Sequence, residues 1–330
     1  MQCQLYGSIQ GLSASPDGVQ MLAATSHGFL YRLRVSDFSQ MLLAENHTEP
    51  VVHVDYMQGV SDKFITSSQD GTIRLWDAND YSVKSRCINQ GQVVQGVYPL
   101  CSLFTDEIIL SGWSDGKIRG FRCDNNQMLW QIDNAHKNGV TAIALSHNSK
   151  FIVSGGQEGE VRVWEIRSRE LISHLKEHTS KVTALHIFAD DIHLLSASRD
   201  KSILCWDLKN QKRISNQTLR MGGINDFSVS PMDPNQYLSV GQDRKITYWD
   251  IRKSQAQGSL ESSPVPGESD ELLTIDVQAS GKLFATGGLM GIVRIYDLQT
   301  GQFISDCRAH SSAILSLKFS PDGKQIVSTG

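Results

Sequence analysis

One segment recurs along this chain and limits what it can fold into. It begins with an apolar strand and a Ser or Thr, passes a short polar turn that is often Asp-Gly, and ends in alternating residues closed by an aromatic. Phe64-Ile-Thr-Ser-Ser-Gln-Asp-Gly-Thr-Ile-Arg-Leu-Trp76 shows it most clearly. Ile109 to Phe121, Ile152 to Trp164, Leu194 to Trp206, Tyr237 to Trp249 and Phe284 to Tyr296 repeat it. The closing positions 76, 121, 164, 206, 249 and 296 lie 45, 43, 42, 43 and 47 residues apart. One step before Trp76 stands a weak first copy, Gly28-Phe-Leu-Tyr-Arg-Leu33, and Ile314 to Gly323 begins an eighth.

Each copy divides into four short strands by period-two alternation and turn residues. In the fourth copy these are 139–145, 151–154, 160–164 and 170–175. Helical periodicity is absent. A single four-stranded unit cannot cover both its apolar faces, so the copies must stack around an axis. A period of about 40–45 residues with four strands per period marks a β-propeller. The expectation is therefore an all-β propeller of four-stranded antiparallel blades spanning residues 1–330 as one domain. Seven copies reach their third strand and the eighth supplies two, which favours a seven-bladed ring over the eight-bladed alternative. The last copy breaks off at Ser328-Thr329-Gly330, before its turn Asp and closing Trp, and so reads as a truncated repeat of a longer protein.

These residues resemble the WD-repeat family over almost the whole chain. The family's tetrad of His, Ser or Thr, Asp and Trp falls on His47, Thr66, Asp70 and Trp76 in copy two, and on His178, Ser196, Asp200 and Trp206 in copy five. Copy four has His136, Ser154 and Trp164, with Glu158 where Asp is usual. Copy three keeps Ser111 and Asp115 and closes on Phe121; copy six keeps Ser239, Asp243 and Trp249 without the His. Copy seven departs further, with Thr286, Met290 and Tyr296, while copy one has Ala23, His27 and Leu33, and copy eight offers His310 and Ser328. The resemblance implies a buried relay in which the turn Asp accepts from the His ring, the His pairs with the hydroxyl, and the hydroxyl meets the indole N–H. Buried polar groups need partners, so such a network fixes one strand register.

A narrower resemblance rests on Ser111-Gly-Trp-Ser-Asp-Gly-Lys-Ile-Arg-Gly-Phe121, Asn134-Ala-His-Lys-Asn-Gly-Val-Thr-Ala-Ile143 and Ser154-Gly-Gly-Gln-Glu-Gly-Glu-Val-Arg-Val-Trp164. These stretches look like the cilia- and flagella-associated WD-repeat proteins, which include a component of the doublet-microtubule inner junction and a centriolar relative. The resemblance implies two tandem propellers, with this chain as the C-terminal one. It also implies a non-catalytic scaffold of the cytoskeleton, in the axoneme of a cilium or flagellum or at a centriole or basal body. Tubulin and inner-junction or centriolar proteins are the implied partners. The alternative is a soluble cytosolic adaptor or substrate receptor that reads peptides at the channel mouth.

Composition and motifs argue against chemistry. Lys and Arg number 31 and Asp and Glu 35, a net charge of −4 with no block of one sign, so no nucleic acid is expected as partner. No apolar run approaches the roughly 18–20 residues that cross a bilayer, and the start, Met1-Gln2-Cys3-Gln4-Leu5, lacks the features of a signal peptide. The six cysteines form no C-x-x-C and read as thiols of a reducing compartment. Four of the ten histidines, His47, His136, His178 and His310, recur at blade spacing, and the rest show no zinc-ligand grouping. Ser196, His178 and Asp200 could pass for a catalytic triad, but the set repeats between copies, whereas catalysis needs one exposed nucleophile beside an oxyanion site. Gly155-Gly156-Gln-Glu-Gly159 is followed by no helix that could hold a phosphate. No catalytic residue, cofactor, metal or small-molecule substrate is expected.

Partner contacts are sought where the repeat makes no demand. Directly before the turn-acid position sit Gln69, Ser114, Gln157, Arg199, Gln242 and Leu289, which the resemblance places around the mouth of the central channel. Arg199 is the expected anchor, since its guanidinium pairs carboxylates as a fork. Trp113 lies off the tetrad slot, either as an exposed anchor or folded over a neighbouring blade. Trp130 is expected between blades. The loop 259–271, with Glu261, Glu268, Asp270 and Glu271, is expected to be mobile, or alternatively to meet a basic partner surface.

Overall fold

Alternating residues bounded by Gly, Asn and Asp turns make the regular elements strands. The computed structural model describes residues 5, 8–26, 28–57, 59–88, 94–265 and 267–330. Among these residues, strands consecutive in the chain pair into seven four-stranded antiparallel sheets and one two-stranded sheet. We number them sheet 1 (9–45), sheet 2 (51–88), sheet 3 (99–132), sheet 4 (140–176), sheet 5 (182–218), sheet 6 (224–261), sheet 7 (272–308) and sheet 8 (316–329). Each coincides with one copy of the repeat.

The second strands show why the sheets stack. In Ile108–Trp113, Phe151–Gly156 and His193–Ser198 every residue after the first is buried, so both faces of the sheet are covered. The cover is the neighbouring sheet. Trp113 packs with Ile65 and Ile73 between sheets 2 and 3, and Trp164 with Ile118 and Val140 between sheets 3 and 4. Trp206 meets Val163 and Leu175 between sheets 4 and 5, and Trp249 meets Leu195 between sheets 5 and 6. Phe284 joins sheet 7 to Val240 of sheet 6, and Phe319 joins sheet 8 to Val293 of sheet 7. Val327 of sheet 8 then packs on the cluster of Val54 and Phe64 in sheet 2, which closes the circuit.

The first strands of sheets 2 to 8 lie innermost and touch one another in the same closed order. They do not pair as a sheet; side chains join them instead. Thr141 Oγ1 donates to Val182 O at 2.5 Å, Thr183 Oγ1 to Ile224 O at 3.1 Å, and Asn225 Nδ2 to Leu272 O at 2.8 Å. Asp226 accepts from Ile275 N at 3.0 Å, and Asp276 from Phe319 N at 2.9 Å. The closing seam carries two more, from Val54 N to Ser316 Oγ at 3.2 Å and from Asp322 N to Ser61 Oγ at 2.9 Å.

Copy one repeats the strand pattern but does not enter this circuit. It has Ala23 where the other copies place a hydroxyl and Leu33 where they close on an aromatic; His27 lies outside the described residues. Its first strand, Ile9–Ala14, is exposed along its whole length. Its outer end reaches sheet 2 through Glu45, which lies 3.8 Å from Arg74 and 3.7 Å from Arg86. The two-stranded copy eight, by contrast, does join.

Asp276 does most at the closing sheet, because it also holds Lys318 Nζ at 3.0 Å. Asp276→Ala removes the carboxylate bonded to that ammonium, leaving it only the more distant charges of Asp55 and Asp226, and leaves the Phe319 N–H unpaired; it is expected to cost about 3 kcal/mol. Ser316→Ala removes a single neutral bond and is expected to cost about 1 kcal/mol. Urea unfolding of the two variants checks the order; equal losses would contradict the seam described.

Candidate functional site

The relay is complete in sheets 2 and 5. His47 bridges Asp70 Oδ2 at 2.8 Å and Thr66 Oγ1 at 2.7 Å, and Trp76 Nε1 donates to the same hydroxyl at 2.7 Å. His178 bridges Asp200 at 2.9 Å and Ser196 at 2.8 Å, and Trp206 Nε1 donates to Ser196 at 2.8 Å. Burial alone would raise the Asp70 carboxyl, but bonds from His47 and Thr72 and the charge of Arg74 outweigh it and bring it to about 2. Asp200 is likewise held low against burial, by bonds from His178, Ser202 and Thr179 N. In sheet 6 the indole of Trp249 reaches Ser239 at 2.8 Å, while Asp243 receives only Lys245 N at 3.3 Å. In sheet 8 His310 meets Ser328 at 2.9 Å.

Two positions correct the sequence reading. Glu158 does not serve His136. Its longer side chain turns outward to Asn138 Nδ2 at 2.9 Å and Lys137 at 3.6 Å. His136 still bonds Ser154 at 2.8 Å, and Trp164 donates to that hydroxyl at 2.9 Å, but His136 Nδ1 is left without a partner. Trp113 is not a surface anchor. It is fully buried and donates to Ser111 Oγ at 2.8 Å, supplying the indole that Phe121 cannot. Ser111 and Trp113 are two apart on one strand, so both point to the same face. Arg119 stands 4.6 Å over the Trp113 ring and binds Asp115 at 2.6 and 3.1 Å, taking the place of the missing His.

Sequence reasoning missed the arginines. Arg74, Arg119, Arg162 and Arg294 each stand two residues before a closing aromatic, a spacing that was visible in the repeat. Arg74, Arg119 and Arg294 are almost fully buried. Arg294 lies 3.5 Å from Asp270, whose backbone N is held by Ser262 Oγ at 2.8 Å. The loop 259–271 is thereby anchored at Asp270; Pro266 lies outside the described residues. Trp130 packs between sheets 3 and 4.

Of the residues before the turn-acid position, Gln69, Gln157, Arg199, Gln242 and Leu289 are exposed, and Gln69 and Arg199 line the central cavity. Ser114 is half-buried and engaged, receiving Tyr98 N at 3.1 Å and donating to Gly96 O at 3.0 Å. The channel itself is a cavity of about 830 Å³, lined by the inner strands and reached at one end by Gln69, Lys181 and Arg199. Its wall carries Asp55, Asp226, Asp276, Lys318, His53 and His186. Burial pushes Asp55 up to about 7 and Asp226 up to about 6, and brings His53 and His186 down to about 4. The triad-like sets are unsuited to nucleophilic catalysis, because Ser154 and Ser196 are buried and already accept an indole N–H.

These relays, repeated around a stacked ring, have a counterpart among known proteins. The WD domain, G-beta repeat family matches residues 39–77 and 301–330, and the anaphase-promoting complex subunit 4 WD40 domain family matches residues 104–191. The chain belongs to the WD-repeat family. It is similar to cilia- and flagella-associated protein 52 of Homo sapiens, at 31% identity over 98% of this chain and 51% of that protein. The protein of that name from Chlamydomonas reinhardtii is 32% identical over 95% of this chain and 50% of its own length. Autophagy-related protein 16 of Arabidopsis thaliana is 24% identical over 59% of this chain and 37% of its own. The chain thus spans about half the length of the cilia- and flagella-associated relatives it matches. As in WD repeats generally, the variable turns, not the relays, are the surface open to a partner.

The unpaired His136 makes a pH prediction. Burial, with Arg162 beside it, brings its imidazole down to about 4, below the ordinary 6.5 of an unfolded chain. The unfolded state therefore binds the proton first, and stability is full above pH 6.5 and falls toward pH 4. The loss from this residue between pH 7 and pH 5 is expected to be about 2 kcal/mol. His136→Gln, which keeps a donor toward Ser154, is expected to flatten that fall in urea-unfolding curves. Glu158→Asp, which restores the partner seen in sheets 2 and 5, is expected to raise the imidazole pKa read by NMR titration.

Proposed function

We propose that this WD-repeat chain is a non-catalytic protein-interaction scaffold and a structural, microtubule-associated component of cilia or flagella. The observation that carries this reading is the similarity to cilia- and flagella-associated protein 52, which extends over 98% of the chain. The fold supports it physically. Sheets 2 to 8 stack in a closed circuit whose buried groups are committed to holding the sheets together, which leaves the turns to meet a partner.

Within this reading, the partners are proteins of the axoneme, with tubulin and inner-junction proteins first among them. The chain corresponds to one propeller, the C-terminal one, of a longer tandem-propeller protein. A centriolar site and a cytosolic adaptor role are the competing assignments.

The test is direct. The full-length protein, tagged in ciliated cells, is expected to localise along the axoneme and to sediment with salt-washed doublet microtubules. A diffuse cytosolic distribution with no sedimentation would exclude the reading; accumulation at centrioles alone would move the assignment to that structure.

A further inference from the structure

Four cations gather at one arc of the channel rim, where sheets 5 and 6 adjoin. Lys181 and Arg199 are neighbours, since Arg199 N donates to Lys181 O at 3.0 Å. Lys201 lies beside Arg220, since Leu219 N donates to Lys201 O at 2.8 Å. Arg199, Lys201 and Arg220 are exposed, and Lys181 is half-buried at the lip of the cavity. Among the described residues none of the four has an acidic partner. Of the nearby acids, Asp200 is engaged by His178 and Thr179 N and Glu177 by Arg213, while Asp243, whose backbone packs against Gly222 in the next blade, receives Lys245 N.

Lys181 and Arg199 both line the lip of the central cavity, where Asp200, the acid that follows Arg199, is turned to His178. Burial, and then the like charge of Arg199, hold Lys181 below the usual lysine range. Two cations kept together in a half-buried place without a counter-charge repel each other, and an incoming anion removes that penalty. The backbone adds a second sign. After the turn-acid position, sheets 2, 3, 4 and 7 place Gly71, Gly116, Gly159 and Gly291 at φ between 72 and 83°, as a left-handed turn requires. Sheets 5 and 6 place Lys201 at φ 75° and Arg244 at φ 61° there instead, at a cost of about 1 kcal/mol each. Met221, next to Arg220, is 74% exposed and gives the arc an apolar contact.

We propose that this rim arc, Lys181, Arg199, Lys201 and Arg220, docks an acidic peptide segment of a partner protein, with one carboxylate seated at the channel lip between Lys181 and Arg199. A peptide fits better than a nucleic acid. The cations form a short arc rather than a stripe, the chain is net negative at −4, and neither of the two large exposed aromatics among the described residues, Tyr81 and Phe303, lies on this rim to stack a base. The inference rests on the scaffold reading and names the chemistry of the partner.

The test uses the purified full chain and a fluorescent poly-glutamate peptide, followed by anisotropy. Binding is expected, and is expected to weaken about tenfold between low and physiological salt. Lys181→Glu combined with Arg199→Glu is expected to weaken it by about tenfold or more. Lys324→Glu, in a turn at the opposite end of the strands, is expected to leave it unchanged. Arg199→Gln with Lys201→Gln, checked for native circular dichroism, provides the same reading should the charge reversal unfold the chain. No binding, equal loss with Lys324→Glu, or displacement of the peptide by poly-uridine RNA at equal charge would overturn the proposal. Sedimentation with doublets in the absence of peptide binding would remove this inference and leave the scaffold reading standing. Peptide binding lost in the rim variants, without any axonemal localisation of the wild type, would do the reverse.

Discussion

A hydroxyl inside the second or neighbouring strand register accepts an indole N–H in sheets 2 to 6, and the rest of the architecture follows from that bond. An indole buried without an acceptor costs about 1–3 kcal/mol, so each Trp can pack in only one register relative to its Thr or Ser. That register turns the ring toward the neighbouring sheet, where it fills the gap with aliphatic side chains from both blades. Trp206 illustrates the coupling: its Nε1 is tied to Ser196 within sheet 5, and its ring faces Val163 and Leu175 of sheet 4. One bond thus aligns strands within a blade and orients the surface by which blades stack. Sheet 3 shows that the bond matters more than its address. Phe121 fills the usual slot as an apolar body, and the donor moves to Trp113, still aimed at Ser111.

The inner strands pose a different problem, because they come close without pairing as a sheet. Thr141, Thr183, Asn225, Asp226, Ser228, Asp276 and Ser316 solve it by bonding the backbone of the next blade. The carboxylates among them face a channel that also holds Lys318, whose ammonium is favoured by Asp276, Asp55 and Asp226 against the burial that opposes it. Ionisable groups with shifted pKa values often mark an active site. Here Asp226 and Asp276 accept inner-strand N–H groups, so their burial is accounted for by ring assembly. These two carboxylates of the channel wall are therefore part of the ring's assembly.

The strand pattern, the copies and most relay residues were legible in the sequence because they are periodic, and a period of 43 can be seen without coordinates. What escaped was where a periodic position is filled by a different chemistry. Glu158 looks like a conservative replacement for Asp, yet one extra methylene carries its carboxylate away from His136 to Asn138. Trp113 looks like an intrusion, because sequence alone does not show that the indole two residues from Ser111 shares its face. Copy one carries a legible strand pattern, but membership of the ring depends on contacts that only the three-dimensional arrangement reveals. The arginines two residues before the closing aromatics were periodic as well. They were passed over because a charged residue in a strand is expected to be solvated, whereas Arg74 and Arg294 lie buried beside Asp70 and Asp270.

The same relay decides which surface residues are free to serve a partner. In sheets 2 and 5 the turn acid is drawn inward to its His, and the residue before it is thereby turned out to solvent. Gln69 and Arg199 occupy that place, and nothing in the fold requires their side chains. Ser114 is the informative exception. Sheet 3 lacks the His, its acid binds Arg119 instead, and the preceding residue is used to hold the loop at Gly96 and Tyr98. In sheets 2 and 5, where the relay is intact, identity at the rim can change with little effect on stability. In sheet 3 the rim residue is recruited into the fold, and in sheet 6 Gln242 likewise accepts Gly223 N at 3.0 Å. Gln157 and Leu289, above altered relays in sheets 4 and 7, stay exposed, so the loss of the relay permits recruitment of the rim residue without requiring it.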